Sequence, residues 1–365
     1  MGAVFFDAVT PSRLLIVLLL LLGVQVLRSP RLFFCRESVL YLAFVAYMFL
    51  TLLWTPDPVL AMNTLFPAVD FFLVQMVLGS LARFGRTRAM LFGTLVGFWI
   101  GAGIFTYVQG FPFVSGRDLS YNGIAAMYLF GLYVTLVLGC VTRSKVLLLV
   151  AALIALAHIV ATTSIKTNLG VLVGAVGASI VFFGESIRVL RRNVLALIAG
   201  VGVIAYVVGS STLAIEGLQR GLERVALGVS VLQAREDRYG YEGFGERAYW
   251  MHEGLQAWVR NPLFGNGVEA FRSEYGITSH STPIDLLYNT GLIGFSLFYA
   301  MFVALAWRLL DSRSPRSLRA LVLAGLICNF FIALSGTLFY QTFLAGFFAT
   351  SAAVLQNRGE TDRSA

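Results

Sequence analysis

Long apolar runs, separated by short breaks rich in charge, proline or glycine, dominate the pattern of this 365-residue chain. A helix needs roughly 20 mostly apolar residues to cross about 30 Å of hydrocarbon. By that criterion the runs predict about eleven spans. Their limits are Pro11–Leu27, Glu37–Trp54, Leu60–Ala82, Ala89–Val108, Asn122–Val141, Val146–Thr163, Asn168–Phe183, Val194–Ser211, Pro283–Leu310, Leu318–Leu334 and Thr337–Leu355. Continuous runs such as LLIVLLLLLGVQVL do not fit the alternating strands of a membrane β-barrel. The expected fold class is all-α, a polytopic transmembrane helical bundle. No small-residue cleavage site follows the first run, so no cleavable leader is expected.

One connection differs in kind from the others. Between Thr212 and Thr282 the chain leaves the apolar pattern for roughly seventy residues, far beyond the usual few-residue link. The expected organisation is thus a block of about eight spans at 1–211, a loop at 212–282, and about three spans with a short tail at 283–365. Two helical patterns lie in the loop. AIEGLQRGLERVALGVSVLQAR sets Ile215, Leu218, Leu222, Val225 and Val229 at helical spacing, and ERAYWMHEGLQAWVRN does so for Tyr249, Trp250, His252, Leu255, Trp258 and Val259. EDRYGYEGFGE between them is of turn type. An amphipathic cap on the membrane surface and a functional element are both open readings of this loop.

Composition agrees with the membrane reading: 58% of residues are hydrophobic and 13% charged, against about 45–50% and 25% in soluble domains. The net charge of +8 is more informative by its placement than by its size. Basic residues gather after every second span: Arg28, Arg31 and Arg36; Arg83, Arg86 and Arg88; Arg143 and Lys145; Arg188, Arg191 and Arg192; Arg308, Arg313, Arg316 and Arg319. Arg358 lies in the tail. The positive-inside rule makes these connections cytoplasmic and puts the alternate ones, the large loop and the N-terminus outside. Much of the positive charge then reads as orientation and contact with anionic membrane lipids, with no nucleic-acid partner expected. Cys35, Cys140 and Cys328 are too scattered for a metal motif, and disulfides are not indicated.

Cations on the expected outer side break the orientation bias, which makes them candidates for function. Lys166, in TTSIKTNLG, stands among Thr162, Thr163, Ser164, Thr167 and Asn168; the plain alternative is snorkelling to the headgroups. Arg117 lies in FVSGRDLSYNG near Asn122 at the head of a span, the alternative being a surface pair with Asp118. Arg247 opens the second loop helix, where a cation runs against the helix dipole, the alternative being a solvated face. His280 precedes STPID, which reads as a helix start with Thr282 as cap, Pro283 first and Asp285 in the first turn. The field at such a start favours neutral imidazole and attracts anions. A loop histidine without a catalytic role is the plain alternative.

In order, these pieces resemble the bacterial O-antigen polymerase/ligase family of integral-membrane glycosyltransferases. Four stretches carry the resemblance: LLWTPDP with Trp54; GRDLSYNGIAA; TTSIKTNLGVLVG, in place of a Ser-x-Arg or Ser-x-Lys-Thr element; and RAYWMHEGLQAWVRNPLFGNGVEAF followed by SHSTPIDLLYNTGLIGF. The last is the most specific, joining an Arg, an amphipathic helix, a Pro-Leu-x-Gly-x-Gly turn, and a His before a span with Gly-Leu-x-Gly. The chain departs from the family's pattern at Ser281, where Asn is usual, at Lys166, often Arg, and in lacking an additional N-terminal span that would make twelve.

The resemblance implies an enzyme of the bacterial inner membrane, with its active site facing the periplasm. It implies inverting glycan transfer from an undecaprenyl-pyrophosphate donor to the hydroxyl of an acceptor, either a lipid-linked glycan (polymerase) or lipid A–core (ligase). The residue chemistry fits that reaction. Pyrophosphate is already a good leaving group, so neutralising its charge is the main requirement. Lys166, Arg247 and Arg117 are the candidate clamp, Arg247 also being a candidate catalytic residue. His280 is the candidate base for the attacking hydroxyl. Asn122, Ser164, Thr167, Ser281, Asp285 and Glu253 are weaker supporting candidates. Tyr239, Tyr241, Trp250 and Trp258 suit sugar stacking or interfacial anchoring. No Asp-x-Asp or aspartate pair stands in an outer connection, so no metal and no cofactor are expected. The Ser-x-Lys-Thr form and compact chain tilt the reading to polymerase.

A flippase or transporter of lipid-linked oligosaccharide is the competing class, and it predicts repeated halves or helices broken near the midplane. A scaffold protein, with Lys166 and His280 incidental, is a third.

Overall fold

The computed structural model describes residues 36–81, 87–109, 121–147, 149–151, 170–171, 173–178, 181, 244–334, 336–337, 339 and 341–356. Among these the secondary structure is helical, with no strand. The principal helices are α1 (Arg36–Leu50), α2 (Pro58–Leu81), α3 (Thr87–Gln109), α4 (Tyr121–Thr142), α5 (Phe244–Trp258), α6 (Ala270–Tyr275), α7 (Thr282–Asp311), α8 (Arg316–Ala333) and α9 (Thr342–Gln356). A 3-10 turn, Thr51–Leu53, extends α1. Among the described residues, four segments are long and apolar enough to cross a membrane: Arg36–Leu53, α2, α7 and α8. The expected spans at Pro11–Leu27 and Val194–Ser211, and the first loop pattern, lie outside the described residues, as does most of the pair between Val146 and Phe183.

The described residues fall into two compact units. One draws on Met1–Met90, Gly254–Ser314 and Thr337–Ala365, the other on Leu91–Glu253 and Pro315–Gly336. In the first unit α7 packs on α1 and α9, while α2 packs on α1 and α9. Aromatic rings fill the space between these helices. Tyr41 stacks on Phe71 with centroids 3.9 Å apart, Phe44 meets Phe298 at 5.5 Å, and Phe302 stands edge-on to Phe348 at 5.0 Å. Lipid supplies no hydrophobic drive between helices, so such interdigitation must supply the attraction itself. Phe66, Val303, Trp307 and Leu310 remain exposed on the outer faces, as a lipid-facing surface requires.

Hydrogen bonds sort the helix ends of this unit into two groups. The buried Glu37 carboxylate, at the start of α1, pairs with Arg308 near the end of α7 at 2.9 Å. Ser312 and Ser314 donate to the carbonyls of Leu355 and Val354, tying the end of α7 to the end of α9. At the opposite end, Thr55 donates to the Val268 carbonyl at 2.6 Å, and the Val268 N–H donates to Thr51 at 3.1 Å. The Asp57 carboxylate accepts from the Leu60 N–H at 2.9 Å and caps α2, which opens on Pro58. Arg36 and Arg308 therefore share one end of the unit, and the Trp54 connection shares the other with the chain leading into α7.

In the second unit α4 packs on α8, and the Phe98 ring occupies the space above Gly131 where a side chain would otherwise stand. The helical residues 170–171 and 173–178 meet α8 through glycines. A Cβ on Gly174 would lie 2.4 Å from the Ala324 carbonyl oxygen, and one on Gly170 3.3 Å from the Cys328 sulfur. GVLVG, residues 170–174, is a small-xxx-small contact of the kind that lets membrane helices approach closely.

Two expected spans need correction. Thr337–Leu355 is helical only from Thr342, because the chain before it makes tertiary bonds: Tyr41 donates to the Phe339 carbonyl at 2.7 Å and Thr337 donates to Asp285. Pro283–Leu310 is not one continuous helix. Gly291, at φ 64° and ψ −168°, interrupts α7, a conformation essentially confined to glycine.

Candidate functional site

The interruption in α7 is built jointly by two distant pieces of sequence. A helix break frees carbonyls on one side and N–H groups on the other, and both must find partners away from water. The loop after α5, Asn261–Gly267, supplies four of these partners. Asn266 and Gly267 donate their N–H groups to the carbonyls of Tyr288 and Asn289 at 2.9 and 2.8 Å. Leu292 and Ile293 donate to the carbonyls of Pro262 and Leu263 at 2.9 and 3.2 Å. The approach is so close that a Cβ on Gly291 would lie 2.3 Å from the Leu263 oxygen, and one on Gly265 2.4 Å from the Gly291 nitrogen. The PLFGNG and NTGLIG motifs are thus two halves of one backbone clasp.

Beyond the clasp the chain turns through Glu269, at φ 61°, into α6. Asn289 accepts the Phe271 N–H at 2.9 Å, so the same residue serves both the clasp and α6. Glu269 is buried, and its Oε1 accepts from Thr64 of α2 at 2.5 Å. Its Oε2 has no partner among the described residues.

His280 follows, half-buried, with its backbone in the left-handed region at φ 58°. Histidine visits that region more readily than most side chains, but the conformation still needs support. Asp285 provides it. This carboxylate is 2% exposed; Oδ1 accepts the Ser279 N–H at 2.9 Å and Oδ2 accepts the Thr337 hydroxyl at 2.8 Å. The Ser279 hydroxyl donates to the Ser281 carbonyl at 3.1 Å and accepts the Ser281 N–H at 3.2 Å, and the Asp285 N–H returns to the Ser281 carbonyl at 2.9 Å. The cap of α7 is accordingly Ser281, one residue before the expected Thr282, and it makes no side-chain cap bond because Asp285 reaches back instead. Ser281, the family-pattern departure, contributes its backbone to this turn.

Of the candidates from sequence, His280, Ser281 and Asp285 are brought together. Glu253 lies on α5, partly exposed, in the other unit. Arg247 belongs to α5 and Asn122 is the second residue of α4, each described in its backbone only. Arg117, Ser164, Lys166, Thr167, Tyr239 and Tyr241 lie outside the described residues. Trp250 stands edge-on to Tyr249 at 4.8 Å, and Trp258 donates its indole N–H to the Pro262 carbonyl at 3.0 Å. Sequence reasoning missed Thr64, Glu269 and Thr337. The acid in GVEAF, set in an otherwise apolar stretch, was a readable signal for Glu269.

The clasp loop also forms one wall of an open depression of about 460 Å³, lined by Trp54, Asn261, Phe264, Gly265 and Asn266. This brings LLWTPDP beside PLFGNG. Among the described residues, no three His, Cys, Asp or Glu side chains are grouped to hold a metal ion.

Compared with known proteins, the chain matches no family model and no curated sequence.

Proposed function

We propose that the protein is a membrane glycosyltransferase that extends or transfers a surface glycan from an undecaprenyl-pyrophosphate donor at the periplasmic face of the bacterial inner membrane. The acceptor hydroxyl attacks the anomeric carbon from the face opposite the pyrophosphate. The new glycosidic C–O bond forms as the bond to the phosphate oxygen breaks, with inversion. His280 takes the hydroxyl proton, and the lipid pyrophosphate departs as the anion. Neutralising that anion is assigned to Lys166, Arg247 and Arg117 on the sequence pattern and on their chemistry. Asp285, buried with both oxygens engaged, acts by holding the turn that carries His280.

One observation carries the reading: His280 sits in a left-handed turn fixed by a buried carboxylate, between the two motifs that the clasp joins within the most specific stretch of the resemblance. Backbone strain held in place by its surroundings concentrates at functional positions. A polymerase is favoured over a ligase by the Ser-x-Lys-Thr form, and acceptor identity separates them. The experiment is a deletion. Loss of a polymerase leaves single repeat units on the carrier and on lipid A–core, whereas loss of a ligase leaves long chains on the carrier.

The flippase reading gains one specific observation, the break in α7. In transporters such breaks expose backbone groups to a substrate or ion. Here Asn261–Gly267 takes the Tyr288 and Asn289 carbonyls and the Leu292 and Ile293 N–H groups, which favours the enzyme.

A further inference from the structure

The depression beside the clasp has a composition that the transfer chemistry does not use. Among the described residues its lining is uncharged: one indole, one phenyl ring, two side-chain amides and a glycine. Such a wall does not suit a pyrophosphate, which calls for cations. Its volume, about 460 Å³, falls within the roughly 300–1,000 Å³ typical of small-ligand clefts.

The parts are set in advance. Trp54 is 36% exposed and stands edge-on to Tyr47 of α1, with centroids 6.5 Å apart. Tyr47 in turn donates to the Phe264 carbonyl at 3.1 Å. The Asn261 amide donates to Asn266 Oδ1 at 2.7 Å, and Asn266 donates to the Tyr288 carbonyl at 3.1 Å. That chain orients Asn261, leaving its carbonyl oxygen and second N–H for an incoming group. The Trp54 indole N–H is a further donor. An aromatic face beside paired amide donors and acceptors matches a pyranose, whose C–H face is apolar and whose rim carries vicinal hydroxyls.

We propose that this depression is a saccharide subsite for a neutral sugar of the glycan, with Trp54 as stacking platform and Asn261 as hydroxyl partner. The choice of glycan as source rests on the transferase reading. An interfacial anchor among lipid headgroups is the competing use of Trp54, since Leu53 and Leu263 beside it are exposed. An anchor has no need of a concave wall of oriented amides.

The test is saturation-transfer NMR on the full-length protein in nanodiscs, with methyl glycosides of a hexose, an N-acetylhexosamine and a 6-deoxyhexose as probes. At least one class gives a signal that falls fivefold or more in Trp54→Ala, falls in Asn261→Ala, and persists in Trp54→Phe and His280→Ala. No signal above that of Trp54→Ala overturns the subsite. So does quenching of Trp54 by brominated phosphatidylcholine in the nanodisc, read as the difference from Trp54→Phe, with no Trp54-dependent sugar signal. Sugar binding without turnover on lipid-linked donor leaves the subsite standing and removes the transferase reading. Turnover without Trp54-dependent sugar binding does the reverse.

Discussion

The main-chain N–H of Ser279 donates to the Asp285 carboxylate at 2.9 Å, closing a turn whose apex is His280. The other carboxylate oxygen is held by Thr337, which is 52 residues away in sequence. The position of the histidine therefore depends on two bonds to one buried side chain. A hydrogen bond to a charged group contributes about 1.5–3 kcal/mol, and an orphaned buried donor costs about 1–3 kcal/mol. Asp285→Ala should lower stability by about 2–3 kcal/mol and Thr337→Val by about 1–2 kcal/mol in thermal unfolding in detergent. The double variant should cost less than the sum, because both remove the same bond. Strict additivity would mean that the Thr337 contact contributes nothing.

The clasp makes a graded prediction about three glycines. Gly291→Ala meets the Leu263 oxygen at 2.3 Å in a backbone region closed to alanine, and should cost about 3 kcal/mol or more. Gly265→Ala meets the Gly291 nitrogen at 2.4 Å and should behave similarly. Gly276 also has positive φ, 73°, yet has open space around it. Gly276→Ala should therefore cost only the left-handed strain, about 1–2 kcal/mol. Equal melting shifts for all three would contradict the clasp.

Glu37 is fully buried and its partner Arg308 is 21% exposed. Removing one member of a buried pair leaves an uncompensated charge and costs about 3–5 kcal/mol, whereas replacing both by apolar residues is often neutral. Arg308→Ala should sharply reduce the folded yield. Glu37→Leu combined with Arg308→Met should recover most of it, as judged by size-exclusion profile and melting temperature.

Gly174 and Gly79 separate packing glycines from incidental ones. Gly174→Leu has no room against Ala324 and should destabilise by about 1–3 kcal/mol or more. Gly79, with nothing within 4 Å of an added Cβ, should tolerate alanine and gain up to about 1 kcal/mol of helix propensity.

Long apolar runs were legible in the sequence because a span is a local property of about 20 residues. Arg36–Leu53, α2 and α8 begin and end within a few residues of their expected limits. The break in α7 was not legible, because hydropathy stays high through LLYNTGLIGF and the bonds that make the break come from residues 261–267. The late start of α9 has the same origin: Thr337 and Phe339 look apolar or neutral locally, and their partners are Asp285 and Tyr41. His280 and Asp285 were readable as a helix-start pattern. Thr64 and Thr337, whose partners are remote, were not. GVLVG could have been read as a packing face from its spacing alone.

His280 is proposed to serve glycan transfer on the outer side. Purified protein reconstituted with undecaprenyl-pyrophosphate-linked glycan, as both donor and acceptor, tests it most directly. The wild-type chain should form new glycosidic bonds on the carrier. His280→Ala should lose at least about 100-fold, the scale of a missing general base, with the variant still inserted and folded. Full turnover by His280→Ala, or movement of intact donor between leaflets with no new glycosidic bond, would contradict that role.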